Sequence, residues 1–399
     1  METISFKIKL FKAFIFIFSA CQSRQDGGEL SIDNNIEKIN KENFISKEYI
    51  LDNAIGIFSE FNKLNLSSDA KTYADPLYDI SRSIDDVYAV NDENNDLTAY
   101  YIVNFKEDGY IILSGDKRVP EVLAFSDDGT FLSDKELSSN KDMPIGLRYW
   151  SDDMKKAISI LRTKNVNVFE NKNASTYGDP IWKPTDLTLY SGAYTYTKWG
   201  QKNGYNASLP TCSCCPTERV PVGCGPIAVG QIMRYWKYPS KFNWNSIPYD
   251  YTTPTLTSFL AELYTTTNAY TYLDCSLTET TMSGLTNALR SYGYNCSLFY
   301  PFNVDIAAEN LIDNKPFLLY GCANEGCHFW VCNGYGYNIG VRLVPNASAI
   351  ITYYHYFSMS WGWYGDCDGW YYIGDEFLNN RYDFEISSLQ MAYNIYPLN

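Results

Sequence analysis

The stretch VPVGCGPIAVGQIMRYW, residues 220–236, places a cysteine at the point where a loop turns into a helix. Gly223 and Gly225 allow a tight turn, and Pro226 suits a first helical turn, where its missing N–H would have no partner anyway. The residues after Pro226 are apolar on nearly every side, which predicts a buried central helix. Because the helix dipole and the first-turn amides favour an anion, we expect a lowered pKa for the Cys224 thiol. Cys224 is then either a nucleophile or a small core residue at a helix start.

The chain contains only two histidines, so the base for a thiol nucleophile is either His328 or His355. Residues 327–333 alternate and are rich in aromatic and β-prone types, which predicts a strand with His328, Trp330 and Cys332 on one face. His355 lies in the run ITYYHYFSMSW, whose tyrosine neighbours are typical of a half-exposed sheet histidine. We therefore favour His328 as the base.

Three sequence blocks resemble the streptopain family of bacterial cysteine peptidases, which have a papain-like catalytic domain. The block GC-x-x-x-A-x-x-Q-x-M-x-Y-W from Gly223 is similar to the nucleophile helix of that family. The block G-x-H-x-x-V-x-x-G-Y from Gly326 is similar to its general-base strand, and WGWYGDCDGWYYI from Trp361 is similar to its W-G-W-G-G-x-x-D-G-Y-Y hairpin. The match spans roughly residues 180–399.

The resemblance implies an α+β fold whose catalytic domain has two layers, a central nucleophile helix packed on an antiparallel sheet. It assigns the nucleophile to Cys224 and the general base to His328. A weaker block, KWGQKNGYN at residues 198–206, assigns Gln201 to the oxyanion hole. The implied protein is an exported cysteine endopeptidase that is made as an inactive zymogen, cuts protein or peptide substrates and needs no metal or organic cofactor.

Two positions depart from the family pattern. Family members usually carry Asn before the first Trp of the third block, and this chain has Ser360 there. A serine hydroxyl accepts an N–H but is shorter than an amide, so either a water extends it or Trp361, packed over the His328 ring, does most of the positioning. The second Gly of the W-G-W-G-G pattern is replaced by Tyr364, which we expect to narrow a loop near the cleft.

The chain before the peptidase blocks resembles the inhibitory propeptide of the family, most clearly at residues 100–131. Its apolar spacing predicts a helix at 46–64, three strands in a small antiparallel meander at 99–105, 110–114 and 122–125, and a second helix at 144–163. We therefore divide the chain into a signal peptide at 1–20, a lipidated flexible tether at 21–40, an inhibitory propeptide-like domain at 41–164, a linker with the cleavage region at 165–185 and a cysteine peptidase domain at 186–399.

The first residues have the features of an export signal. Lys7, Lys9 and Lys12 precede the apolar run AFIFIFSA, which is too short to span a bilayer. The sequence before Cys21 resembles a bacterial lipoprotein box, in which this cysteine becomes lipid-modified. The expected location is the outer membrane or cell surface, reached through a lipid anchor only, or the medium if an ordinary signal is cleaved.

Downstream of the nucleophile helix, the pattern predicts more helices and strands. The expected helices are residues 277–292 and 304–313, and the expected strands are residues 296–300, 317–322, 327–334, 349–359 and 370–373. A helix that carries cysteine, followed by a sheet that carries histidine, puts the two residues on opposite sides of a cleft.

Charge and cysteine content exclude several other readings. A formal net charge of −14 argues against binding nucleic acid, whose phosphates need a basic surface. Of eleven cysteines, nine remain besides Cys21 and Cys224, so at least one has no disulfide partner within the chain. Cys212 and Cys215 have C-x-x-C spacing and would bind zinc together with Cys224, but an exported chain more often makes disulfides. Serine-hydrolase, zinc-peptidase and phosphate-loop motifs do not occur.

Two alternatives to the peptidase stay open. Ser360 makes a catalytically inactive surface-binding protein on the same fold conceivable. The same cysteine and histidine would also serve a Cys-dependent amidase or acyltransferase.

Overall fold

The computed structural model describes residues 43–65, 82–92, 97–133, 135–136, 143–163, 188–190, 197–323, 326–342, 350–373 and 389–398. The predicted signal peptide, the tether with Cys21 and the linker at 165–185 lie outside the described residues. The described residues all fall within one compact unit, residues 40–399. None of the described helices combines the length and the apolar character that crossing a bilayer requires.

The N-terminal region is a four-stranded antiparallel meander with two helices. Its elements are α1 (Lys47–Asn65), β1 (Ile84–Asn91), β2 (Thr98–Phe105), β3 (Tyr110–Ser114), β4 (Val122–Ser126) and α2 (Ile145–Thr163). Both predicted helices and all three predicted strands are confirmed to within one or two residues. The sequence analysis missed β1, because this edge strand exposes Asp85 and Asp86 and lacks the alternation of a half-buried strand.

The peptidase region contains four helices and eleven short or long strands among its described residues. In chain order they are β5 (Thr188–Tyr190), α3 (Cys224–Trp236), α4 (Pro254–Thr266), β6 (Tyr270–Thr271), β7 (Thr278–Glu279), α5 (Met282–Ser291), β8 (Tyr294–Asn295), β9 (Tyr300–Pro301), α6 (Val304–Ile312), β10 (Phe317–Ala323), β11 (Gly326–Arg342), β12 (Ile350–Ser360), β13 (Gly369–Tyr372), β14 (Gln390–Ala392) and β15 (Tyr396–Pro397).

Several details of this region differ from the sequence prediction, and β11 extends to Arg342, beyond the predicted end at residue 334. The predicted helix at 277–292 begins only at Met282, because Thr278 and Glu279 pair with β6 instead. The predicted strand at 296–300 is wrong except for its last residue, which pairs with β14. Helix α4 was missed, although Thr253 caps it by accepting the Leu256 N–H and a proline follows at the first helical position, which is a recognised start signal.

A single sheet joins the two regions. Its strand order is β1-β2-β3-β4-β13-β12-β11-β10-β14-β9, and β5 pairs with β11. The junction is the antiparallel pair β4–β13, in which Trp370 lies opposite Phe125 and Tyr371 opposite Ala124. The predicted α+β class is confirmed, but the edge-to-edge joining of the two sheets was not predicted.

The two faces of the peptidase sheet pack into different cores. On one face, Phe329 and Val331 of β11 pack with the buried side of α3. On the other face, Trp330 and Cys332 pack with residues of the N-terminal region. The predicted alternation along β11 is therefore confirmed, and each face of this strand serves a different partner.

Candidate active site

Cys224 is the first residue of α3, as predicted. The residue before it, Gly223, has φ 91°, a backbone conformation that residues with a side chain rarely adopt. A Cβ at this position would also lie only 2.8 Å from Thr278 Cγ2. The body of α3 is buried, whereas Cys224 itself is half-buried and lines a cavity of about 400 Å³. The glycine turn thus presents the thiol to the cavity at the start of an otherwise largely buried helix.

The pKa of the Cys224 thiol is not lowered as expected. Desolvation of the sulfur raises this pKa above its ordinary value, although the backbone amides of Phe329 and Gly225 act in the opposite direction. The helix N-terminus is present, but its effect is smaller than the cost of moving a thiolate out of water. In this state Cys224 is a neutral thiol at pH 7.

His328 lies on β11, opposite Gly321 of β10, and only 4% of its surface is exposed. Its Nε2 is 2.9 Å from the carbonyl oxygen of Trp361, so Nε2 carries the proton and donates it to that oxygen. The ring of Trp330 stacks on the imidazole with a centroid distance of 6.0 Å. Burial lowers the pKa of His328 to about 4, so the imidazole is neutral at pH 7.

Cys224 and His328 line the same cavity without being paired. Across the described residues, the structure shows no hydrogen bond between the thiol and the imidazole, and His328 directs Nε2 to Trp361 instead. A raised thiol pKa and a lowered imidazole pKa together favour two neutral groups. This is the opposite of the thiolate–imidazolium pair that a cysteine peptidase uses, so the site is assembled but not charged.

Gln201 lines the same cavity and is held near Cys224 by a backbone hydrogen bond. Its carbonyl oxygen accepts the N–H of Val222 at 2.9 Å, two residues before Cys224. Tyr364 supports the same segment, because its ring packs against Gly200 and its hydroxyl accepts the N–H of Lys202 at 3.0 Å. Tyr364 also lines the cavity, so this replacement lies near the cleft as expected, while the narrowing of the loop stays a prediction.

The contacts of Ser360 and Trp361 differ from those expected of residues that orient the His328 ring. The Ser360 hydroxyl accepts from Gln231 Nε2 at 2.9 Å and donates to Asp368 at 3.1 Å, and no hydrogen bond links it to His328 in the described part of the chain. The Trp361 N–H donates to Asp368 at 2.8 Å, and its ring packs on Trp330 at 5.2 Å. The Trp330 ring therefore contacts both the His328 ring and the Trp361 ring.

The N-terminal region closes one side of the cavity. Met143, Pro144 and Ile145, at the start of α2, line it together with Cys224 and His328. The next residue, Gly146, approaches the two tryptophans so closely that a Cβ there would lie 2.8 Å from the Trp330 ring and 3.0 Å from the Trp361 ring. The start of α2 thus packs against the side chains that surround His328.

Comparisons with known proteins assign both regions. Residues 43–158 match the family model of the Spi protease inhibitor, and residues 199–297, which include Gln201 and Cys224, match that of the Peptidase C10 family.

The chain is a cysteine peptidase that resembles streptopain.

Its relatives include streptopain of Streptococcus pyogenes, which is 23% identical over 326 residues, 68% of this chain and 73% of that protein. A thiol protease/hemagglutinin of Porphyromonas gingivalis is 21% identical over 316 residues, 69% of this chain and 34% of that protein. A prointerpain A fragment of Prevotella intermedia shares the fold, with a TM-score of 0.54 and 18% identity over 80% of this chain and 100% of that chain.

Several residues around the site of this peptidase were missed by the sequence analysis. Gln231 follows Cys224 by two helical turns, and that spacing was a usable signal for a position on the same helix face. Desolvation raises the pKa of Asp368 to about 7, and no sequence pattern predicts this effect. His355 lies outside the cavity, half-buried on β12 with Nδ1 2.9 Å from the Tyr335 hydroxyl, as its tyrosine-rich surroundings suggested.

The cysteines of this peptidase form two disulfides among the described residues, Cys212–Cys275 and Cys322–Cys327. The alternative in which Cys212 and Cys215 bind zinc with Cys224 is wrong for this structure, because the Cys212 sulfur is bonded to Cys275. The described free cysteines are Cys214, Cys215, Cys224, Cys296, Cys332 and Cys367.

Proposed function

We propose that the chain is an exported cysteine endopeptidase that is made as an inactive zymogen and hydrolyses proteins with a Cys224–His328 dyad. The observation that carries the proposal is the single cavity lined by Gln201, Cys224 and His328, with the start of α2 along its edge. The two disulfides support export, because such bonds persist in oxidising compartments. The signal at 1–20 and lipidation at Cys21 belong to the same proposal.

In the proposed reaction, the Cys224 sulfur attacks the carbonyl carbon of the scissile peptide after His328 has taken the thiol proton. The side-chain amide of Gln201 and the N–H of Cys224 donate to the oxyanion that forms. His328 then gives its proton to the leaving amine, and the C–N bond breaks to leave a thioester. A water molecule, deprotonated by His328, hydrolyses the thioester and restores the thiol.

The proposal requires His328 to change its partner on activation. We assign inhibition to residues 41–164, cleavage to 165–185 and catalysis to 186–399. Removal of the N-terminal region frees the side of Trp330 and Trp361 that Gly146 covers, so the imidazole can leave the Trp361 carbonyl and pair with Cys224. Trp361 and Ser360 are then the residues proposed to orient the ring, and Asp368 holds the Ser360 hydroxyl from behind.

The proposal is tested by single substitutions in the chain after cleavage of the linker. We expect Cys224→Ala to abolish hydrolysis of casein, and His328→Ala to lower its rate by about 10²–10⁴-fold, the usual contribution of a positioned general base. His355→Ala is the matched control and should keep most of the activity, because His355 lies outside the cavity. Thermal unfolding should show that all three variants remain folded.

The same variants separate the alternatives. A binding protein without activity would show no hydrolysis in the parent chain and no covalent labelling of Cys224 by an epoxide thiol inhibitor. An amidase or acyltransferase would label at Cys224 but leave casein intact. Activity that survives Cys224→Ala would contradict the proposed mechanism.

A further inference from the structure

Four cysteines lie together on the rim of the cleft, outside the dyad. Cys212 is bonded to Cys275, and the Cys214 sulfur lies only 3.1 Å from the Cys212 sulfur. The sulfur atoms of Cys212, Cys214 and Cys275 all lie within 4.8 Å of one another, and Cys215 is 3.6 Å from Cys214. A disulfide thus has a free, exposed thiol in contact with one of its two sulfur atoms.

This arrangement is that of a thiol–disulfide exchange before reaction. Exchange requires a thiolate to approach one sulfur of a disulfide while the other sulfur departs. We propose that Cys214 and the Cys212–Cys275 disulfide form an exchange site on the rim of the cleft. The Cys214 thiolate attacks Cys212, a Cys212–Cys214 bond forms, the Cys212–Cys275 bond breaks, and Cys275 leaves as a thiolate that takes up the proton lost by Cys214. The step is internal, so no oxidant or reductant is consumed.

The geometry assigns the attack to Cys214 rather than to its neighbour. Cys215 is exposed as well, but the sulfur it contacts is that of Cys214, not one of the disulfide. The interaction with Cys214 also raises the pKa of Cys215, which lowers the fraction of its reactive thiolate. Cys215 is therefore a natural control, a thiol at the same place without the contact that exchange needs.

The Cys212–Cys275 disulfide restrains a segment that lines the cavity. Cys275 is followed directly by Ser276, Leu277 and Thr278, which line the cavity of Cys224. The Thr278 hydroxyl donates to the Pro221 carbonyl at 2.8 Å, and its methyl group packs against Gly223, the residue before the nucleophile. The hairpin of β6 and β7 therefore connects the disulfide to the turn that presents Cys224.

Exchange changes what restrains this hairpin. The Cys212–Cys275 bond closes a sequence separation of 63 residues that includes the whole of α3, whereas a Cys212–Cys214 bond closes only two. Within the hairpin, Cys275 N–H still donates to the Tyr272 carbonyl and Tyr272 N–H to the Leu277 carbonyl. The hairpin would keep its own turn but lose its covalent attachment to the loop before α3, so the cleft rim would gain freedom.

The consequence for catalysis rests on the proposed function, but the exchange chemistry does not. Cys224→Ala in the full-length chain therefore serves as the background for the chemical test, since it removes the nucleophilic thiol. Into this background we would introduce Cys214→Ser and, as the matched control, Cys215→Ser. Each protein is purified under oxidising conditions, incubated between pH 6 and pH 9, quenched with acid, alkylated and mapped by mass spectrometry.

We expect the alkylated fraction of Cys275 and the amount of the Cys212–Cys214 disulfide to rise together with pH in the Cys224→Ala chain. Cys214→Ser should reduce both at least about tenfold, because the attacking sulfur is gone. Cys215→Ser should leave them within about twofold. Equal release of Cys275 with and without Cys214 would overturn the exchange site. So would a stoichiometric zinc ion, measured by elemental analysis, together with no disulfide at Cys212.

A second measurement addresses the cleft. In the cleaved chain that retains Cys224, the exchanged form should show faster hydrogen exchange at residues 270–279 and an altered KM for a peptide substrate. Cys214→Ser, which locks the Cys212–Cys275 bond, should show neither change over the same pH range. Exchange mapped in the first experiment without any change in the second would overturn the coupling to the cleft.

Discussion

The two walls of the cleft are held by different parts of the chain. Around Cys224, the described buried residues that pack with α3 all come from positions 199–395. Around His328, the sheet face with Trp330 and Trp361 shares its core with residues 45–161 of the N-terminal region. Cys224 therefore sits in a wall that the peptidase region builds alone, whereas the wall behind His328 is completed by the inhibitor-like region.

This difference indicates where latency acts. The contacts that reach across the two regions gather on the histidine side, where Trp150 Nε1 donates to the Tyr372 carbonyl at 3.0 Å and the Tyr110 hydroxyl donates to the Cys367 carbonyl at 3.1 Å. The His328 imidazole on that side is buried and neutral, and it donates a hydrogen bond to the Trp361 carbonyl oxygen. We infer that the N-terminal region inhibits by holding the wall of the base, and only secondarily by filling the cleft.

The largest expected effect comes from removing the N-terminal region, which completes the wall behind His328. Cleavage in 165–185 and separation of residues 41–164 should raise peptidase activity by about 10²–10⁴-fold, the contribution of a general base that becomes positioned. The measurement is the hydrolysis rate before cleavage, after cleavage and after separation of the fragments. If activity is already full in the uncleaved chain, the N-terminal region is not an inhibitor of this cleft.

A smaller effect is expected from a larger side chain at Gly146, where α2 contacts the two tryptophans. Gly146→Leu should weaken retention of the N-terminal fragment after cleavage by about 5–150-fold, because overpacking costs about 1–3 kcal/mol. The new side chain meets the rings of Trp330 and Trp361. The dissociation constant is obtained from the concentration dependence of activity in the cleaved mixture.

Gly56→Leu is the matched control for this substitution. Gly56 also lies in a helix of the N-terminal region, but nothing lies within 4 Å of a Cβ placed there. It should leave the dissociation constant unchanged. Equal weakening by both variants would place the effect in the fold of the region rather than in its contact with the tryptophans.

The pH dependence of Cys224 alkylation tests whether cleavage allows His328 to pair with the Cys224 thiol. Since desolvation raises the thiol pKa, the thiolate fraction at pH 7 is below that of an ordinary cysteine, and the rate should rise about tenfold per pH unit up to that raised pKa. Cleavage should shift the profile to lower pH as His328 becomes available to pair with the thiol. Iodoacetamide labelling, read on the peptide that contains Cys224, measures both profiles.

The cleaved His328→Ala chain is the control for the shift. Without an imidazole, its profile should stay close to that of the uncleaved chain. A profile that moves by the same amount without His328 would mean that cleavage merely exposes the sulfur to water.

The smallest effect is expected at the exposed ion pair that crosses the two regions. Lys198 contacts Asp128, and both side chains are about half exposed. Asp128→Asn should weaken retention of the cleaved N-terminal fragment by at most about fivefold, since exposed pairs contribute about 0.2–1 kcal/mol. The effect should shrink at high salt.

Lys241→Met is the matched control for the ion pair. It breaks a comparably exposed pair with Glu262 that lies entirely within the peptidase region. Retention of the fragment should not change in this variant. A large, salt-independent loss for Asp128→Asn would show that the pair is more than a surface contact.

The sequence was most informative where short-range physics decides the structure. The glycines and proline around Cys224 predicted the helix start, and alternation along residues 327–333 predicted that Phe329 and Trp330 face opposite cores. The periodicity of residues 144–163 predicted α2. Because the chain has only two histidines, the base had to be either His328 or His355. The half-buried position of His355 on β12 agrees with its tyrosine-rich surroundings.

The tertiary structure decided what depends on contacts between distant segments. The sequence could indicate a helix N-terminus at Cys224, but the sign of the pKa shift follows from desolvation by residues that only folding brings near. Similarly, the pairing of β4 with β13 and the contact of Gly146 with two tryptophans join positions more than 180 residues apart. Local pattern therefore indicated Cys224 and His328 as the candidate site residues, while long-range packing determined that the two side chains are uncharged and not paired with each other.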